Sequence, residues 1–85
     1  MDEEGKLVGE VTHYFGKIGV AVLKLSDTLK VGDQIKIVDK EGEEFTQTVD
    51  SMQIEHENVP EAKAGDLIGL KVIQKVREGD KVYKL

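Results

Sequence analysis

Two histidines and seventeen carboxylates are the side chains of this 85-residue chain that could transfer a proton or hold a metal ion. His13 and His56 share no metal-ligand spacing, and His56 lies between Glu55 and Glu57 in a polar stretch. None of the carboxylates is framed by the apolar pattern typical of a catalytic acid–base pair. The sequence therefore predicts a His13 that faces the inside of the fold, a solvated His56, no metal site and no cofactor.

The sequence gives no better support for covalent catalysis or for phosphate binding. The chain has no cysteine, and Ser26 and Ser51 lack the sharp turn and the partner base of a catalytic serine. The Gly-Lys pairs at 5–6 and 16–17 lack the upstream glycine and the following hydroxyl of a phosphate-binding loop. We expect no nucleotide hydrolysis by this chain alone and no enzymatic activity.

The segment from Tyr14 to Lys17 is the stretch best suited to contact a partner. Aromatic rings beside a lysine can stack on nucleic-acid bases or anchor a protein. Strand alternation assigns Phe15 to the core. Tyr14 and Lys17 are therefore the contact candidates in this segment.

Charge is unevenly distributed along the chain, although the net charge is −5. Residues 43–66 hold seven acids and one base, whereas residues 67–85 hold five bases and two acids. The acidic total argues against nucleic-acid binding through bulk counterion release. Two interpretations of the last strands remain open: a basic patch, or an ordinary solvated face of mixed charge. The candidate RNA- or partner-binding residues are Tyr14, Lys17, Lys71, Lys75, Arg77, Lys81 and Lys84.

Length and composition indicate one soluble domain over residues 1–85, with residues 1–5 expected to fray. The longest apolar run, residues 18–25, is interrupted by Gly19 and Lys24 and is too short for a membrane span. The start of the chain is acidic where a signal peptide would be basic. The absence of cysteine fits a reducing compartment. We expect a cytoplasmic protein with no membrane partner.

Turn signals followed by alternating residues favour an all-β fold. A Gly-Asp pair occurs at 32–33, 65–66 and 79–80, each time before a strand-like run. Residues 6–15 alternate in polarity, which places Leu7, His13 and Phe15 on the core side and Val8 on the opposite side. These patterns predict a small antiparallel barrel or sandwich.

Four further stretches carry specific expectations. The near-continuous apolar run at 18–25 predicts a strand buried on both faces. Between residues 45 and 54 the apolar positions change phase near Asp50 and Ser51, which predicts a β-bulge or a sharp bend. Pro60 to Lys63 fits a single helical turn, and residues 81–85 fit a last strand that pairs with the first.

The order of these motifs resembles domain 2 of the translational GTPases, the β-barrel of elongation factor Tu and its relatives. The matching motifs are Leu29-x-x-Gly32-Asp33, Val49-x-Ser51-Met52 and Ala64-Gly65-Asp66-x-x-Gly69. The chain looks most similar to small stand-alone elongation-factor-like proteins, and the C-terminal barrel of some collagenase-like peptidase family proteins is also similar. The resemblance covers about residues 7–85 and implies a small six-stranded Greek-key-like antiparallel β-barrel.

This resemblance implies a non-catalytic binding module that contacts tRNA, ribosomal RNA or a translation-related protein. The alternative is a protein-interaction barrel like the C-terminal domain of the collagenase-like peptidase family proteins. The matching glycines and aspartates are turn and packing residues in the translation family. The match at these residues therefore implies the same fold but does not indicate the function.

Overall fold

The computed structural model describes residues 5–85, so the expected fraying of residues 1–4 lies outside the described residues. Every element in the described part of the chain is a β-strand. The ten strands are β1 Lys6–Phe15, β2 Val20–Leu25, β3 Leu29–Lys30, β4 Gln34–Val38, β5 Glu44–Thr48, β6 Met52–Ile54, β7 Glu57–Val59, β8 Glu61–Ala62, β9 Leu67–Lys71 and β10 Lys81–Lys84.

Antiparallel pairing joins eight of these strands into one sheet in the order β5-β4-β10-β1-β2-β9-β6-β7, and β3 and β8 form a separate two-stranded ribbon. The sheet curls into a half-barrel, which confirms the predicted all-β antiparallel fold. Six strands have four or more residues, and the other four are short additions of two or three residues. The predicted pairing of the last strand with the first is present between β10 and β1.

The core lies on the concave side of the sheet and consists of aliphatic side chains. Leu23, Leu29, Ile35 and Met52 are each at most 1% exposed. They come from four different strands, so folding must bring distant parts of the chain together before this surface is removed from water. Burial of such a side chain contributes about 1.5–3 kcal/mol.

Strand β1 does not follow the simple alternation that its sequence suggests. Its register against β10 shifts between Leu7 and Gly9, and its register against β2 shifts between Val11 and His13. Each irregularity reverses which side chains face inward. Val8 is therefore fully buried, whereas Leu7 is 43% exposed and Phe15 is 47% exposed. The predicted core positions of Leu7 and Phe15 are wrong for this reason.

The three Gly-Asp pairs form three turns of the same construction, which confirms the prediction of turns before strands. In each turn the glycine has a φ between 94° and 98°, a conformation that a side chain would disfavour. The aspartate N–H donates to the carbonyl oxygen three residues earlier. The aspartate carboxylate accepts a hydrogen bond from the N–H of that same residue, at 2.9–3.0 Å. The turns are Lys30–Asp33, Lys63–Asp66 and Arg77–Asp80.

The phase change near Asp50 and Ser51 marks a break between two strands at different places in the sheet. β5 lies at one edge of the sheet, whereas β6 pairs with β9 on the other side. The predicted sharp bend is thus confirmed. The predicted helical turn at Pro60–Lys63 is wrong, because Glu61 and Ala62 pair with β3 instead. A single helical turn gains one hydrogen bond at a high entropic cost, and strand pairing satisfies the backbone better.

Candidate binding surface

Large apolar side chains lie exposed on the convex side of β1, β2 and β9 and in the turn between β1 and β2. Strand pairing sets Phe15 opposite Val20 and sets Val22 opposite Gly69. Phe15 is 47% exposed, Ile18 is 61% exposed and Leu67 is 55% exposed. We call the five side chains of this surface the outer apolar face: Phe15, Ile18, Val20, Val22 and Leu67.

Gly69 creates a depression within the outer apolar face. It sits between Val22 of β2 and Gln53 of β6 in the pairing register. Because it has no side chain, the convex surface dips there into a groove of about 280 Å³. A Cβ on Gly69 would meet the nearest atom, a methyl carbon of Val20, at 3.5 Å. A side chain could therefore be accommodated at position 69. The depression is present because residue 69 has none.

The β6–β7 hairpin forms the far wall of this groove. Its two turn residues, Glu55 and His56, have φ values of 52° and 69° and both line the groove. Two consecutive residues with positive φ are typical of a type I′ hairpin turn, for which Asn-Gly is preferred. Residues other than glycine in this conformation store strain, and such strain is concentrated at functional sites.

The histidines are both at the surface. The His13 ring lies 4.4 Å from the Phe15 ring in an edge-on arrangement, and its Nδ1 lies 3.4 Å from a carboxylate oxygen of Glu78. The predicted inward orientation of His13 is wrong, because the second irregularity of β1 turns it outward together with Phe15. His56 is exposed, as predicted.

Tyr14, Lys17 and Lys71 occupy one region of the structure but differ in exposure. Tyr14 is partly buried and packs against the core. Lys17 is exposed in the turn between β1 and β2, and Lys71 is exposed at the end of β9. The turn and the end of β9 are adjacent, since the N–H of Val72 donates to the carbonyl oxygen of Gly19 at 2.9 Å.

The other predicted basic residues do not extend this region into one patch. Lys81 lies 3.3 Å from the Glu10 carboxylate and Lys84 lies 3.7 Å from the Asp33 carboxylate. These two lysines are three residues apart on β10, so they point to opposite faces of the sheet. Lys75 and Arg77 lie in the segment between β9 and β10.

A short ion pair fastens the start of β1 to the turn after β2. Lys6 Nζ lies 2.7 Å from a carboxylate oxygen of Asp27. This hydrogen bond, with a second from the N–H of Thr28, holds the pKa of Asp27 below its ordinary value. The same contact raises the pKa of Lys6. Neither residue lines the groove.

Within residues 5–85 no cluster of three or more histidine, aspartate or glutamate side chains is placed to hold a metal ion. No helix in this part of the chain is long and apolar enough to cross a membrane. The predicted burial of residues 18–25 on both faces is wrong, because Ile18 is 61% exposed and Val20 and Val22 are only half-buried. The sequence signals of the outer apolar face are this apolar run and the glycine in the middle of β9.

The fold and this surface define a small all-β half-barrel domain with an apolar convex face. No protein-family model matches the chain. An uncharacterized protease of Methanocaldococcus jannaschii is 42% identical over 78 residues, which are 92% of this chain and 19% of that protein. A collagenase of Porphyromonas gingivalis is 35% identical over 78 residues, which are 91% of this chain and 22% of that protein. The chain thus spans about a fifth of the length of these relatives.

Solved structures share the fold at lower identity. The crystal structure of the C-terminal domain of a Geobacillus thermoleovorans protein classed as a U32 peptidase matches with a TM-score of 0.88 and 20% identity, covering 100% of this chain and 98% of that one. A bacterial selenocysteine-specific elongation factor matches with a TM-score of 0.69 and 24% identity, covering 99% of this chain and 15% of that one. The likeness to elongation factors is therefore a likeness of barrel fold.

These comparisons correct the expected function. The curated relatives are a protease and collagenases, and the structures with a TM-score of 0.88 are domains of a peptidase-class protein. The expectation of an elongation-factor-like translation module that contacts tRNA or ribosomal RNA is therefore wrong. The alternative, a barrel like the C-terminal domain of collagenase-like peptidase family proteins, has the better support.

Proposed function

We propose that this domain is a non-catalytic protein-binding module that docks onto the catalytic part of a collagenase-like U32 peptidase. The similarity to proteases extends over nine-tenths of the chain but over only about a fifth of those proteins. A domain of this kind accompanies a much larger polypeptide. Its role is to contact that polypeptide through its surface, and the chemistry belongs to the larger part.

The outer apolar face is the observation that carries this proposal. Five apolar side chains are adjacent on the convex side of β1, β2 and β9 and in the turn between β1 and β2. Three of them are large and between 47% and 61% exposed. A contiguous exposed apolar patch marks a contact surface in a soluble protein. Interfaces between domains of one chain are of modest size, so a patch on one sheet face suffices for docking.

The direct test is a binding experiment with the catalytic part of a relative. The purified chain is mixed with the Methanocaldococcus jannaschii protease from which the matching 78 residues have been removed, and binding is measured by calorimetry. We expect binding by the unmodified domain and a loss of about tenfold or more in affinity for Leu67→Asp, because a charge at an apolar contact is not solvated.

Ile73→Asp is the matched control for this experiment. Ile73 is 69% exposed but lies beyond the end of β9, outside the outer apolar face. We expect its affinity to equal that of the unmodified domain. Absence of binding by the unmodified domain, with both proteins folded, would refute the docking proposal. Hydrolysis of a peptide substrate by the domain alone would refute its non-catalytic character.

A further inference from the structure

Two lysines, Lys17 and Lys71, lie next to one end of the groove over Gly69, just outside its lining residues, since Lys71 pairs with Val20. Lys71 follows Gly69 by two residues, on the same outward side of β9. Lys17 lies in the turn that ends at Gly19, which is hydrogen-bonded to the residue after Lys71. Within residues 5–85 neither lysine lies within ion-pair distance of a carboxylate. These two lysines therefore add unneutralised positive charge beside this end of the groove.

The opposite end of the groove has mixed charge. Lys24 pairs with Leu67 in the register of β2 and β9. Glu55 and His56 of the β6–β7 hairpin line the groove on the other side of Leu67. A carboxylate placed here would meet one positive and one negative neighbour. The electrostatic asymmetry of the groove therefore points a negative ligand group toward Lys17 and Lys71.

The size of the depression limits what can fill it. At about 280 Å³, the groove is at the small end of the roughly 300–1,000 Å³ of sites that enclose a drug-sized ligand. The lining is mostly apolar, with the side chains of Phe15, Ile18, Val20, Val22 and Leu67 around the bare Gly69 backbone. One large apolar side chain fits this shape and chemistry better than a whole metabolite does.

Resting on the docking function proposed above, we infer that the groove binds an extended acidic segment of the peptidase partner. A large apolar side chain of that segment fills the depression at Gly69. A carboxylate two residues away along the segment meets Lys71 and Lys17. The spacing follows from strand geometry, since two residues of either extended chain span about 7 Å. Charge complementarity selects an acidic partner and the depression selects its apolar anchor.

Short labelled peptides test this inference directly. The probe is an extended peptide with two aspartates placed two residues from a leucine, and its binding to the intact domain is measured by fluorescence anisotropy and by amide NMR. We expect binding that weakens at least threefold when salt rises from low to physiological strength. We expect at least tenfold weaker binding when serine replaces the leucine or when lysines replace the aspartates.

Two domain variants locate the site. Gly69→Leu fills the depression from the outward side, and it should weaken peptide binding about tenfold or more without changing the fold, since its Cβ has room. The double variant Lys17→Glu and Lys71→Glu should abolish the preference for the acidic peptide over the lysine peptide. The matched control, Lys30→Glu with Lys63→Glu, makes the same charge change at two turns outside the groove and should leave that preference intact.

The outcomes separate this inference from the docking proposal. If the unmodified domain and the Gly69→Leu variant bind the catalytic part equally well, the groove inference fails and the docking proposal stands. If the acidic peptide binds in the groove but the catalytic part does not bind, the inference about the partner and the docking proposal both fail. Equal binding of the acidic and lysine peptides would overturn the assigned ligand chemistry.

Discussion

The side-chain amide of Gln47 donates a 2.9 Å hydrogen bond to the backbone carbonyl oxygen of Lys71. Its oxygen accepts a second 2.9 Å hydrogen bond from the N–H of Ile73. β5, which carries Gln47, is an edge strand of the sheet, and no strand pairing joins it to β9 among the described residues. One buried side chain therefore links the two sides of the half-barrel where a backbone ladder is absent.

Removal of this link should destabilise the domain. We expect Gln47→Ala to lower the free energy of unfolding by about 2 kcal/mol, because two partly buried backbone groups lose their partners. The measurement is urea unfolding followed by circular dichroism. Gln53→Ala is the control, since the Gln53 amide bonds only to the exposed Asn58 side chain, and it should change stability by less than about 0.5 kcal/mol. Equal effects of the two variants would show that the link does not stabilise the fold.

The three similar turns provide a second comparison within one molecule. Asp80 is 4% exposed, whereas Asp66 is half-buried, although both carboxylates accept the same backbone hydrogen bond. We expect Asp80→Ala to lower the free energy of unfolding by about 2 kcal/mol and Asp66→Ala by about 1 kcal/mol, because the backbone group is less easily rehydrated at the buried turn. Chemical denaturation of both variants checks the order, and a larger loss for Asp66→Ala would contradict it.

Relief of the strain in the β6–β7 turn should stabilise the domain. We expect the double substitution Glu55→Asn with His56→Gly to raise the free energy of unfolding by about 1 kcal/mol, because Asn-Gly adopts two positive φ values at lower cost. Thermal unfolding measures the gain. The control is Glu41→Asn with Lys40→Gly in the β4–β5 turn, where neither residue has a positive φ; it should give no gain. A destabilised hairpin variant would show that the turn carries no strain.

Substitutions on the two faces of β1 can test which of its side chains point into the core. We expect Val8→Ala to lower the free energy of unfolding by about 2 kcal/mol, because Val8 is fully buried. Phe15→Ser should cost less than about 1 kcal/mol despite the larger side chain removed, because Phe15 is 47% exposed. Guanidinium unfolding of both variants distinguishes the faces. The reverse order would restore the simple alternation and contradict the two register shifts.

The Lys6–Asp27 pair sets a pH dependence. The pKa of Asp27 is lowered by its hydrogen bonds to Lys6 and Thr28, so its contribution is present above the ordinary carboxyl pKa and is lost as the pH falls through the folded-state pKa. The pKa of Lys6 is raised, so its contribution is present below the ordinary lysine pKa and is lost as the pH rises through the folded-state pKa. Neutral pH lies between the ordinary carboxyl pKa and the ordinary lysine pKa, so both contributions are present there.

Carboxyl-carbon NMR titration of Asp27 checks this expectation. In the Lys6→Met variant the midpoint should move upward toward the ordinary value, because the hydrogen bond from Lys6 is gone. An unmoved Asp27 midpoint would show that the pair does not form in solution. Little change in overall stability is expected, since the Lys6 side chain is 75% exposed.

The sequence alone was sufficient for the local features of this protein. The three Gly-Asp pairs predicted three turns because glycine is needed at a positive φ and aspartate can cap the turn it closes. Alternation and the change of phase near Asp50 predicted an all-β chain with a sharp bend. These features depend on residues a few positions apart, and local sterics and hydrogen bonding determine them.

Only the tertiary structure decided which side chains are available for contact. The register shifts in β1 turn Phe15 outward and Val8 inward, and they exist only once β1 is paired on both sides with β10 and β2. The outer apolar face likewise combines Phe15 with Leu67, which are far apart in sequence, through the order of strands in the sheet. Side-chain exposure in a strand depends on its partners' register, and a slip of one residue reverses it.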